Sequence, residues 1–131
     1  MMTTIVIPTI SIMPPANTSQ TVADCLFCKI IRGEIPAKIV YQTPVVTVFE
    51  DIAPQAPVHL LIIANTHTAS HLQTEDETIY QQLLSAAKTV ATALHLQDYR
   101  LICNNGAGAG QSVFHLHVHL LAGRPLQWPP G

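Results

Sequence analysis

Near the C-terminus, three histidines alternate with apolar residues in the run His115-Leu116-His117-Val118-His119-Leu120-Leu121. Residues i, i+2 and i+4 of a β-strand share one face, with neighbours on that face roughly 6.5–7 Å apart. The spacing predicts a row of three imidazoles, with Leu116, Val118 and Leu120 turned to the core. Such a row suits metal binding or phosphoryl chemistry. A neutral imidazole can attack phosphorus, and the phospho-imidazole bond is labile to water. The plain alternative is a solvent-facing strand that uses His at its polar positions, and three in register by chance is improbable.

Two further groupings bear chemistry. The stretch Asn104-Asn105-Gly106-Ala107-Gly108-Ala109-Gly110-Gln111-Ser112 could converge backbone N–H groups on an anion. A glycine-rich turn needs no ligand, but this one feeds the histidine strand, and Ser112 stands three residues before His115. The pair Cys25-Leu26-Phe27-Cys28 is a redox pair, half a metal site, or two small apolar residues in a helix. No strand precedes it, which argues against the redox reading. A tetrahedral zinc site needs two more ligands, and His67, His71 and the histidine strand all offer candidates. His59 and Asp51 are weaker candidates, while His71, His95 and Cys103 read as structural.

These groups need elements to hold them. Residues 1–23 carry Pro8, Pro14 and Pro15 without helical period and predict a flexible extension, leaving 24–131 as the folded domain. Asp24 is expected to cap a short helix over 25–32 that Gly33 closes. Strands are expected at 37–42, 45–50, 59–63, 99–103 and 113–121. Thr74-Glu75-Asp76-Glu77 reads as a capping box for a long amphipathic helix to about residue 94. Short connections imply an antiparallel sheet with helices on one side, an α+β domain.

At 131 residues the chain fits one domain, and a net charge of −2 argues against a nucleic-acid partner. No run is apolar enough to span a membrane. Three cysteines cannot pair completely, so a reducing, cytoplasmic setting is expected.

Together these residues resemble the histidine triad (HIT) family, in its nucleoside phosphoramidase branch. The family signature His-φ-His-φ-His-φ-φ, with φ apolar, is met at every position of 115–121. The runs 51–59, 110–114 and Trp128-Pro129-Pro130-Gly131 also look like this branch. The resemblance implies a five-stranded antiparallel sheet with one long and one short helix, pairing into ten strands in a homodimer. It implies substrates that are purine nucleoside monophosphate derivatives with an amine or acyl group on phosphorus. His117 would be the nucleophile and His59 would orient it, while His119 and Ser112 contact the phosphate and aid departure. Asp51, Asn104 and Gln111 would face the nucleotide, with Leu26, Phe27, Ile30, Ile35, Phe49 and Leu61 around the base. A structural zinc would sit on Cys25, Cys28, His67 and His115, with no organic cofactor. Alternatives are a dinucleoside polyphosphate hydrolase and a non-enzymatic zinc- or nucleotide-binding adaptor.

Overall fold

The computed structural model describes residues 5–16, 18 and 20–131. Its described elements are β1 (Ser11–Ile12), α1 (Leu26–Ile31), β2 (Ile39–Gln42), β3 (Val46–Glu50), β4 (Val58–Ala64), α2 (Thr78–Ala93), β5 (Tyr99–Ile102) and β6 (His117–Ala122). The strands form one sheet in the order β1-β2-β3-β4-β6-β5. β1 runs parallel to β2 and the other pairs are antiparallel, so the expected five-stranded antiparallel sheet becomes a mixed sheet of six.

The sixth strand comes from the segment expected to be flexible. Ile10 N–H donates to Val40 O at 2.7 Å and Met13 N–H to Gln42 O at 2.9 Å. Ile7, 2% exposed, inserts into the main core. Prolines rule out a helix here, yet they suit a short edge strand, where one side needs no donors. The expectation for residues 1–4, 17 and 19 lies outside the described residues.

β4 is the central strand and is buried along its whole length. Its even residues Val58, Leu60 and Ile62 join Leu116, Val118 and Leu120 in a core that α2 covers with Leu83, Ala86, Ala87 and Val90. The i, i+3, i+4, i+7 spacing of those four makes one apolar stripe on α2. Odd residues take the other face, where Leu61 and Ile63 pack with Phe49 and with Phe27, Ile30 and Ile31 of α1. Period two thus divides the sheet into a structural face and a second face that carries the site.

Three local expectations shift. Cys25, not Asp24, is the N-cap of α1, its Sγ accepting from Cys28 N–H at 3.4 Å, and Gly33 closes the helix at φ +76 as expected. The capping box does not form. The Thr74 hydroxyl donates to Ser70 O, and the Asp76 carboxylate accepts from Thr78 N–H at the start of α2. Asp76 stands two residues before Thr78, the spacing at which an Asp side chain bonds the backbone, whereas Thr74 stands four residues before the helix starts. No helix among the described residues is long and apolar enough to cross a membrane.

Candidate active site

The β4–β6 register places the imidazoles. Ile63 pairs with His117, Leu61 with His119 and His59 with Leu121. All three histidines share the face opposite α2, and His59 lies diagonal to His119, within side-chain reach. Its Nε2 stands 2.9 Å from His119 Nδ1. His117, opposite Ile63, is four residues further along β4, about 13 Å away by strand rise. His59 therefore orients His119 and not His117, contrary to the expectation. The row of three also divides, because β6 begins at His117 and His115 precedes it in irregular backbone.

Backbone groups assign each ring proton. The carbonyl of His115 can only accept, so His117 carries its proton on Nδ1, 2.7 Å away, and keeps a lone pair on Nε2. Gln55 N–H donates to His59 Nδ1 at 3.0 Å. The His59 proton is then on Nε2 and is donated to His119 Nδ1, which leaves His119 with a proton on Nε2. One ring on β6 thus offers a lone pair and its neighbour offers a donor, and both line the same cavity.

Burial, the largest cause in each case, holds these imidazoles neutral. It lowers His117 and His59, and with the neighbouring His117 and His59 it brings His119 to about 4. Asp51 Oδ2, 3.4 Å from His59 Nε2, pulls the other way and is outweighed.

The cavity, of about 230 Å³, is lined mostly by apolar side chains, with a few polar ones among them. Leu26, Phe27, Ile30, Ile35, Phe49 and Leu61, the six apolar residues singled out in the sequence, all line it. Asp51, Ser112, His117 and His119 line it as well. Phe27 meets Phe49 edge-on at 5.6 Å and His117 at 5.1 Å between ring centroids. A mostly apolar cavity that also presents an imidazole lone pair and a ring N–H donor has the make-up of a small-molecule site.

Asn104 and Gln111 lie elsewhere. Asn104 lines a separate cleft with Trp128 and Pro130. The Gln111 side chain, 4% exposed, accepts from Gly106 N–H and donates to Ala69 O and Val113 O. Its amide ties the glycine-rich loop to the segment at Ala69. Cys103, expected in the core, is exposed.

Behind α1, ligand atoms of Cys25, Cys28, His67 and His115 lie within 4.8 Å of one another. His115 Nδ1 is 3.3 Å from Cys25 Sγ and 3.5 Å from Cys28 Sγ, and His67 Nδ1 is 3.4 Å from Cys28 Sγ. Zinc bond lengths at a tetrahedral angle put nitrogen and sulfur about 3.5 Å apart. His115 donates from Nε2 to Ala64 O at 2.6 Å, so its Nδ1 lone pair faces the sulfurs. Burial first, then Cys25 beside it, pushes the Cys28 thiol up to about 11. A divalent cation there would deprotonate it. Donor set, spacing and tautomer all fit zinc, and four protein ligands leave no open position.

Asp51, His59 and His119 also cluster at metal-ligand distance. Here the surroundings have the opposite polarity. With Gln55 N–H on Nδ1, His59 must keep its proton on Nε2, the atom a metal would need bare. This triad is built as a hydrogen-bond chain. Sequence reasoning missed the Gln55 N–H and the carbonyls of Ala64 and His115, because a backbone group has no residue type to betray it.

A protein-family model described as HIT domain matches residues 32–126. An uncharacterized HIT-like protein of Synechocystis sp. is 50% identical over 111 residues, covering 82% of this chain and 97% of that protein. Another from Synechococcus elongatus is 47% identical over 111 residues, with the same 82% and 97% shares. Among solved structures, a HIT family hydrolase from Legionella pneumophila superposes with TM-score 0.79 at 46% identity, covering 82% of this chain and 100% of that one. A HIT family hydrolase from Clostridium thermocellum gives TM-score 0.78 at 43% identity, covering 82% and 96%.

Proposed function

This chain belongs to the HIT domain family, and on that premise we propose that it is a hydrolase of purine nucleoside monophosphate derivatives, cleaving a P–N or acyl-phosphate bond through a nucleotidyl-His117 intermediate. Relatives named HIT family hydrolases support the reaction class. The observation that carries the chemistry is the pairing of a His117 Nε2 lone pair with a His119 Nε2–H at one cavity wall.

The base occupies the slot between Phe27, Phe49 and Leu61, and Asp51 takes the ribose hydroxyls. His117 Nε2 attacks phosphorus, and its proton stays on Nδ1 against the His115 carbonyl. The P–N bond breaks as the P–Nε2 bond forms, and the leaving nitrogen gains one proton from water. His119, held neutral by burial and by His59, donates from Nε2 to a phosphoryl oxygen as negative charge gathers there. Ser112, exposed at the rim, donates to the same group. In the second step hydroxide adds to phosphorus and His117 departs as the neutral imidazole it was. One water is consumed in all. A structural zinc on Cys25, Cys28, His67 and His115 would tie α1 to the segment entering β6. The β5 edge, at the end of the sheet, supports pairing with a second copy.

Hydrolysis of adenosine 5′-phosphoramidate tests the reading. His117→Ala should abolish turnover while leaving AMP binding largely intact, and turnover near the wild-type rate in that variant would sink the assignment.

A further inference from the structure

The segment ahead of α1 reaches the Cys/His cluster from the edge of the sheet. Past β1, Met13 N–H is bonded to Gln42 O, and Ala16 N–H donates to Pro44 O at 2.8 Å beside the β2–β3 turn. The same turn holds the loop that bears His67, since Asn65 N–H donates to Val45 O at 2.8 Å. The segment then touches the ligands themselves. His67 N–H donates to Gln20 O at 3.0 Å, and Cys25 N–H donates to Val22 O at 3.3 Å. Val22 N–H faces the Cys28 sulfur and favours its thiolate. One arginine fastens this stretch to α1. Arg32, the C-cap of the helix, donates from Nη1 to Thr21 Oγ1 at 2.8 Å and to Val22 O at 3.2 Å, and from Nη2 to Ala23 O at 3.4 Å. Neither Arg32 nor any of residues 20–23 lines the cavity that holds His117. These bonds serve the cluster alone.

We propose that residues 20–23 are a clamp on the metal centre, stapled by Arg32 and tethered by β1, which sets how fast a metal ion enters and leaves the four ligands. The inference rests on the cluster binding zinc and is independent of the hydrolase chemistry. An ion with four protein ligands and no open position escapes only when the ligands part. Cys25 and Cys28 move together, because both sit at the start of α1. His115 is held by its ring bond to Ala64 O at 2.6 Å. His67 is the ligand free to swing, since its loop between β4 and α2 belongs to no regular element. The clamp bridges that loop to the helix of the cysteines, with Gln20 O on His67 N–H and Arg32 on residues 21–23. Parting His67 from the cysteines then also breaks the Gln20 bond. With the clamp undocked, the loop opens by itself, as a small local unit does. Ile7, buried in the main core, anchors the far end of the tether.

The test follows transfer of zinc from the loaded full-length protein to a chromogenic chelator at one fixed pH and temperature. Two variants undock the clamp from opposite ends. Arg32→Met removes the staple and keeps an apolar stem. Ile10→Pro with Met13→Pro removes the N–H donors to Val40 O and Gln42 O. Each should release zinc about 10- to 100-fold faster than the wild type, the range by which loss of an outer-shell partner weakens a metal site. Amide exchange of His67 should quicken in both, while β4 amides stay protected and show the fold intact. Thr21→Val, which deletes one hydroxyl, replaces a variant that does not fold and should quicken release by less than about tenfold. Release at the wild-type rate in any folded variant would overturn the clamp. Wild-type protein that takes up no zinc would overturn the metal reading and this inference with it.

Discussion

Replacing His59 with Leu isolates the hydrogen-bond chain behind the site. His59 does not line the cavity and is only 6% exposed, so the substitution leaves the cavity lining intact. It removes the donor at His119 Nδ1, 2.9 Å away, and frees that ring to place a lone pair on Nε2. A lone pair there would meet phosphoryl oxygens with like polarity. Losing one such half-buried bond is worth about 1–3 kcal/mol, or roughly a 5- to 150-fold fall in kcat. KM should hold, because the loss is felt as charge develops. The decisive assay is a double-mutant cycle on phosphoramidate hydrolysis with His59→Leu, His119→Leu and the pair. If His59 acts only through His119, the double variant is no slower than His119→Leu alone. Losses that multiply would refute the reasoning and would favour a link from His59 to His117.

Two further outcomes follow from the same geometry. Gly123 has φ +94, and a Cβ there would lie 2.9 Å from Pro57 Cβ, so Gly123→Ala should cost about 1–3 kcal/mol. A thermal midpoint equal to that of the wild type would contradict this. His119 titrates at about 4 in the fold against an ordinary 6.5. As pH falls below 6.5 the unfolded chain takes up this proton first, so stability drains away down to about pH 4 and then levels. Discounted for its contact with solvent, the contribution is about 1 kcal/mol. Denaturant melts of wild type and His119→Leu across that window should show a shallower slope in the variant, and parallel slopes would count against it.

Side-chain periodicity made much of the site legible. Alternation along 115–121 placed His117 and His119 on one face, and the six apolar residues named around the base all line the cavity. The cysteine pair with His67 and His115 also converges as expected. Register was not legible, because it depends on how β4 and β6 slide past each other, and one diagonal step decides whether His59 meets His119 or His117. The start of β6 was misplaced for a related reason. Val113 to Leu116 have strand-like side chains, but Leu116 N–H is taken by Thr68 O, outside the ladder. Gln111 was expected at the nucleotide only through the resemblance, and its amide is bonded to three backbone groups, Gly106 N–H and Val113 O nearby and Ala69 O on a distant segment. The N-terminal segment was underrated because a two-residue edge strand leaves almost no pattern, and its apolar docking comes down to Ile7 with Ile10 partly buried beside it.

The central claim is that His117 bonds covalently to phosphorus. Rapid quench of the protein during turnover of adenosine 5′-phosphoramidate, followed by proteolysis and mass mapping under alkaline conditions, tests it directly. The account predicts an adenylyl group on the peptide carrying His117, localised to that residue, which disappears as substrate runs out. Steady turnover with no adduct at any quench time, or an adduct on His119 or Ser112, would contradict it.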